Sequence, residues 1–140
     1  MRQLTSQFTI TTQGRKLYDI TTEVTRWVRQ TEIATGMLTL YIQHTSASLL
    51  INENCDPDVI ADLERFFARL VPDGDPLFAH VDEGSDDMPA HVRAALTQTH
   101  LCIPVLNGKP ALGTWQGIFL YEHRRASHQR RVLLHLIGDE

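Results

Sequence analysis

Cysteine is scarce in this chain of 140 residues. Cys55 and Cys102 are the only two, and neither lies in a CxxC pair. Two cysteines make no disulfide framework, so both read as buried free thiols of a cytoplasmic protein. Long apolar runs are missing as well. Nothing approaches the roughly 20 residues of a membrane-spanning helix, and the start, MRQLTSQFTITTQGRK, lacks the apolar centre of a signal peptide. Positive charge is not in excess: the formal net charge is −4, which argues against nucleic acid as a bulk electrostatic partner. P-loop, Rossmann fingerprint, nucleophile elbow, HExxH and EF-hand patterns are all absent. Histidine, by contrast, is plentiful at seven residues. A hydrophobic content of 42% supports one sizeable core, and the chain reads as one domain over residues 1–140.

Periodicity then orders the elements. Alternation over residues 7–12 predicts a strand, Gln13-Gly14 a turn, and residues 15–18 a strand pairing back on the first. Asp19 can N-cap a helix whose apolar stripe is Ile20, Val24, Trp27 and Val28, and Gly36 ends that connection. Residues 37–44 predict a strand with Leu38, Leu40, Ile42 and His44 on one face, and residues 48–52 the next. Asp56-Pro57 joins an N-cap to proline at the first helical position. Val59, Ile60, Leu63, Phe66, Phe67 and Leu70 mark the buried side of the helix that follows. A polar loop over residues 73–87 leads to a short helix over 88–98. Residues 101–106, 114–122 and 131–137 read as strands, with Asn107-Gly108 as a hairpin turn. The mixed order gives an α+β class with about three helices and a mostly antiparallel sheet. The last strand, VLLHLI, is apolar on both faces, whereas antiparallel sheets usually leave one face to water. It therefore calls for a second sheet or another subunit.

Four segments carry side chains fit for chemistry. His44, His80 and His91 each adjoin acids or hydroxyls near an element end. Three imidazoles with a carboxylate suit a catalytic divalent metal with an open position, although hydrogen-bonded surface histidines look the same in sequence. His91, in the first turn of its helix, is expected to be kept neutral and ligating by the helix dipole. Asp82, Glu83, Asp86 and Asp87 suit Mg²⁺ held against a diphosphate, or simply the positive end of the next helix. EHRRASHQRR gathers Arg124, Arg125, Arg130 and Arg131 between two strands, either as forks for phosphate oxygens or as a solvated hairpin end. LGTWQGIFL sets Gly113 and Gly117 around Trp115 and Gln116, a pattern of close ligand or backbone approach, or a place for Trp115 as filler.

HTSASLLINEN, DEGSDDMPAHVRAAL, NGKPALGTWQGIFLYEHR and the closing arginine-rich strand together resemble the YjbQ-like family, also called the secondary thiamine-phosphate synthase family, over residues 8–138. TQTHLC departs from the small Gly/Ser-type stretch of that pattern, which leaves His100 out of the site. The resemblance implies a two-sheet β-sandwich packed as a homotrimer, with a pocket near the subunit boundaries. It carries His44, His80 and His91 over as metal ligands and Glu122 and Gln116 as catalytic residues. Arg124, Arg131, Asn54 and Trp115 are the expected substrate contacts. The implied activity joins a hydroxymethylpyrimidine diphosphate to a thiazole phosphate as a weak or side activity, with zinc or magnesium holding the leaving diphosphate. A metal-dependent hydrolase of a small phosphorylated metabolite is one alternative, and a non-catalytic metal or metabolite binder is another. Neither nucleic acid nor membrane is an expected partner.

Overall fold

A computed structural model describes residues 1–140. In chain order the elements are β1 (Arg2–Thr11), β2 (Lys16–Asp19), α1 (Thr21–Thr31), β3 (Thr35–Ile42), β4 (Ala47–Glu53), α2 (Pro57–Leu70), α3 (Asp87–Leu96), β5 (His100–Leu106), β6 (Lys109–Pro110), β7 (Gln116–Glu122) and β8 (Gln129–Asp139). They form a five-stranded sheet in the order β1-β8-β3-β5-β6 and a three-stranded sheet in the order β2-β7-β4. Every pairing is antiparallel. The architecture is α+β, with two sheets and three helices. No helix is long and apolar enough to cross a membrane.

Alternation makes the sandwich. Leu38, Leu40 and Ile42 of β3 line up with Leu136, Leu134 and Val132 of β8. They pack across the inter-sheet space against Leu49, Ile118 and Leu120 of the smaller sheet, with Val24 and Val28 of α1 in the same cluster. Each such side chain, fully buried, contributes about 1.5–3 kcal/mol. Residues 15–18 do not pair back on β1. Leu17 joins Phe119 and Tyr121 in a second cluster on the other face of the smaller sheet, so the turn after β1 carries the chain from one sheet to the other and β2 pairs with β7. Gly36 lies inside β3 rather than ending the connection before it. It faces Gly138 across the ladder, and a Cβ there would fall 2.3 Å from the Ile137 carbonyl oxygen. Two glycines let these strands approach closely.

Other boundaries move with physical cause. β3 ends at Ile42, so His44 lies in the loop after it rather than at the end of its buried face. α2 starts as expected, with the Asp56 carboxylate accepting from the Asp58 N–H. It packs on the smaller sheet through Ile60, Leu63 and Phe67, while Phe66 and Leu70 are exposed and no residue of the helix is fully buried. α3 begins one residue early, at Asp87, which puts His91 in its second turn. Both cysteines are free and exposed, not buried. Cys102 falls on the outer face of the larger sheet, beside Thr39. The second apolar face of β8 is real: Leu133, His135 and Ile137 remain half-buried on that outer face, next to exposed Met37 and Tyr41.

Candidate metal centre

The loops at one end of the sandwich converge on Asp87. Because Asp87 opens α3, it stands four residues before His91, and one helical turn brings the two side chains to the same face. His80, from the preceding loop, reaches the same point. The Asp87 Oδ2 atom lies 2.7 Å from His80 Nε2 and 3.1 Å from His91 Nε2. The two rings stand 5.8 Å apart between centroids. Ligand-capable atoms of His80, Asp87 and His91 all fall within 4.8 Å of one another.

The surroundings orient this group. The carbonyl oxygen of Thr45 can only accept, so His91 Nδ1, 2.9 Å away, must donate to it. That bond places the ring proton on Nδ1 and turns the Nε2 lone pair toward Asp87 Oδ2. A neutral His91 so oriented faces lone pair to lone pair. A cation shared at that point, or a proton on Nε2, resolves the conflict. Backbone acceptance of the remote N–H is also how metal-bound imidazoles are held. The other Asp87 oxygen accepts from Arg124 Nη1 at 2.6 Å. Burial on its own pulls the Asp87 carboxyl upward, but the His80 bond and the charges of His91 and Arg124 hold it below the ordinary aspartate value. Asp87 is therefore a carboxylate with one oxygen fixed and one aimed at two imidazoles.

The remaining candidates fall in different places. His44 is not part of the group. Its Nε2 accepts the Arg131 backbone N–H at 2.8 Å, which leaves the proton on Nδ1. Burial and then the Arg130 and Arg131 charges push its pKa down, so it is neutral. Arg124, expected on substrate phosphate, is engaged within the protein: Nε bonds Asp86 at 3.1 Å and Nη2 bonds the Glu83 carbonyl at 2.9 Å. Glu122 is fully buried. Its oxygens accept from Thr12 Oγ1, from Arg130 Nε and Nη2, and from the Arg124 N–H. No oxygen remains for a reacting group. Arg131 projects from the outer face of the larger sheet, on the side opposite buried Arg130. Gln116 opens β7 and Glu122 closes it, so about 20 Å of strand separates them. Gln116 accepts from the Gly113 N–H at 2.7 Å, Asn54 donates its N–H to the Trp115 carbonyl, and the Trp115 side chain is exposed. These three gather at the end of the sheet away from Asp87.

Three features were missed in the sequence. Asp87 was read as one member of an acidic run, and the i, i+4 spacing to His91 was the available signal. Asp86 accepts the Arg125 N–H and the Arg124 side chain, so it ties the β7–β8 loop to the head of α3 instead of capping that helix. His123 is fully buried. Its Nε2 lies 2.8 Å from Ser48 Oγ, which also meets Thr97 Oγ1 at 2.6 Å. Burial, then Arg93 and Arg15, push the His123 pKa down to about 3. Neither Ser48 nor His123 has access to a substrate.

The sequence and the fold have close counterparts. The family model described as UPF0047 protein YjbQ-like matches residues 6–139. A UPF0047 protein of Synechocystis sp. is 49% identical over 99% of this chain and 94% of its own length. The UPF0047 protein YjbQ of Escherichia coli O157:H7 is 43% identical, covering 94% of this chain and 95% of its own. Among solved structures, a hypothetical protein of Aeropyrum pernix K1 superposes with a TM-score of 0.87 at 31% identity, covering 97% of this chain and 99% of that one. An uncharacterized conserved protein of Clostridium acetobutylicum, from the same family, gives a TM-score of 0.85 at 34% identity over 94% of this chain and 99% of that one. Sequence and fold thus agree along nearly the whole length, and the chain belongs to the YjbQ-like UPF0047 family.

Proposed function

We propose that His80, Asp87 and His91 hold a divalent metal ion at which a small phosphorylated metabolite binds. One observation carries this reading: two imidazole Nε2 atoms converge on a single oxygen of Asp87 while Arg124 occupies the other. Two nitrogens and one carboxylate suit zinc better than magnesium, which prefers oxygen donors. A bound ion would supply Lewis-acid stabilisation of phosphate charge. Arg124 is then a positioning residue for Asp87. The phosphate partner is Arg125, whose side chain is 58% exposed, hydrogen-bonds Ser85 and stands 3.8 Å from carboxylate oxygens of Asp73 and Asp86. His44 offers its Nδ1–H from the neighbouring loop.

The activity we favour is the one the family resemblance names, the joining of a hydroxymethylpyrimidine diphosphate to a thiazole phosphate with release of diphosphate, as a side activity of a cytoplasmic enzyme. An arginine-rich, metal-capable end supports a diphosphate leaving group. We also propose that the subunit works as a homotrimer, in which the outer face of the larger sheet, with Met37, Tyr41, Leu133 and Ile137, is covered by neighbouring copies. Elemental analysis of untagged protein is the test. Near-stoichiometric zinc that disappears in a His80→Ala, His91→Ala double variant of unchanged fold is the expected result. Equal metal content in both proteins would overturn the centre.

A further inference from the structure

The loop that carries His80 holds a fourth group able to bind the same ion. Residues 81–84 make a tight turn, closed by the Gly84 N–H on the Val81 carbonyl at 3.2 Å. Gly84 takes a φ of 103° there, which favours glycine. The turn sends the Glu83 side chain back toward His80, and Glu83 Oε2 stands 3.8 Å from His80 Nε2. The Glu83 carboxyl also meets that of Asp87. Two carboxylates in contact repel each other unless a proton or a cation lies between them. This conflict is separate from the one between His91 Nε2 and Asp87 Oδ2, and one cation relieves both.

The spacing fits one coordination sphere. Zinc bonds of about 2.0–2.2 Å, at tetrahedral angles, set neighbouring donor atoms about 3.4 Å apart. Asp87 Oδ2 lies 2.7 and 3.1 Å from the two imidazoles, and the Glu83 oxygen 3.8 Å from the first. These edges straddle that value.

Glu83 is held unlike the other donors. Its backbone is fixed: Arg124 Nη2 donates to the Glu83 carbonyl at 2.9 Å, while Nη1 of the same guanidinium holds Asp87. Its side chain is 65% exposed, against 3% for Asp87. Asp87 and His91 are each locked by a second bond on the far atom. Glu83 instead puts a flexible stem between a fixed pivot and its carboxylate. Ordering that stem costs rotamer entropy, which offsets part of any bond it forms.

Resting on the metal-centre reading above, we infer that Glu83 is the fourth, displaceable ligand of that centre, closing the coordination sphere in the resting protein and swinging out when an anion takes its place. Four fixed donors make a structural site, and three with a permanently open position make a catalytic one. Three fixed donors and one mobile carboxylate make a site that stays closed until an anion competes. Weak ligands are held back, and an anion that bonds the ion better than a lone carboxylate is admitted.

Cobalt(II) in place of zinc makes the centre visible, and azide serves as the probe anion. Chelator competition gives the cobalt affinity, and azide titration of the cobalt-loaded protein gives the anion affinity. In Glu83→Ala, cobalt should bind about tenfold more weakly and azide about tenfold more tightly, as follows if Glu83 fills its position about nine-tenths of the time. The two factors should match, because both measure one occupancy. Glu83 is exposed, so its replacement leaves the loop folded. Asp82→Ala removes the same charge one residue away and should change neither affinity. Equal azide affinity in Glu83→Ala and the unaltered protein overturns the inference. So does an equal gain in Asp82→Ala, which would assign the effect to charge alone. Complete loss of cobalt in Glu83→Ala would make Glu83 a permanent ligand and overturn displacement. If the unaltered protein takes up no cobalt, the metal-centre reading itself fails, an outcome distinct from the other three.

Discussion

Asp87 and Glu122 are both buried carboxylates, both bonded to arginine, and both held below the usual carboxylate range despite burial. They differ in what surrounds the last oxygen. Every hydrogen bond to Glu122 comes from a donor whose proton stays in place at neutral pH, a guanidinium, a hydroxyl or a backbone N–H, and the one imidazole nearby, His128, stands 3.9 Å off and bonds the Ala126 carbonyl instead. Asp87 Oδ2 meets the Nε2 atoms of two imidazoles, each of which can serve as a ligand to a cation. Saturation marks a structural carboxylate, and an oxygen left to titratable or ligating partners marks one that can bind. Burial and lowered pKa are common to both and do not separate them.

The sharpest way to break the comparison is Glu122→Gln. It leaves the Arg130 charge buried beside a neutral amide, and a loss of about 3–5 kcal/mol in urea unfolding is expected. Metal bound per folded molecule should not change. Full stability with lost metal or turnover would instead give Glu122 a functional part.

Arg124→Met comes next. It removes the anchor of Asp87 Oδ1 without touching a ligand atom, and metal affinity should fall by about 10–100-fold. Competition with a chromogenic chelator reads this directly. An unchanged affinity would mean that the helix alone positions Asp87.

His123→Gln has the smallest effect and sharpens the contrast between closed and open histidines. His123 is neutral in the folded chain, with a pKa of about 3 against an ordinary 6.5. Between those values the unfolded chain holds the extra proton, so stability falls as pH falls. Glu122 and Asp87, with lowered values, push the same way: their stabilisation is present above the unfolded carboxylate range and is lost as pH drops through the folded value. Replacing His123 should reduce the slope of stability against pH by about 1.4 kcal/mol per unit between about pH 6 and pH 4. Denaturant titrations across that range measure it, and an unaltered slope would assign the acid sensitivity to the carboxylates alone.

Much of the fold was legible because alternation and capping are local. β3, β4, β7 and the start of α2 follow from side-chain period two and from Asp56-Pro57. The site was legible in part. His80 and His91 stood out by type, but their partner was hidden by a one-residue error in where α3 begins. Alternation carried past Ile42 predicts His44 at the end of a buried face, whereas it lies in the loop after β3. Arg124 and Arg125 are adjacent and chemically alike, yet one is bonded closely to Asp86 and Asp87 while the other stays more than half exposed, with Asp73 and Asp86 only at 3.8 Å. That difference is set by a loop some 40 positions away in the chain, and no local pattern encodes it. Likewise, sequence could not show that Glu122 is saturated, because donors come from Thr12, just past the end of β1, and from Arg130 on β8.

The three candidate ligands all come from residues 80–91, whereas the groups that orient them, the Thr45 carbonyl and Arg124, are 46 and 37 residues away from their partners. A short stretch of unfolded chain therefore already contains the full donor set. Metal then has some affinity for the denatured ensemble as well as the native one, and the stabilisation it confers is smaller than its native affinity alone would give. Chelation should leave the sandwich folded, and a peptide of this stretch should hold zinc weakly. The gap between peptide and protein affinities is the part of metal binding that the fold itself creates.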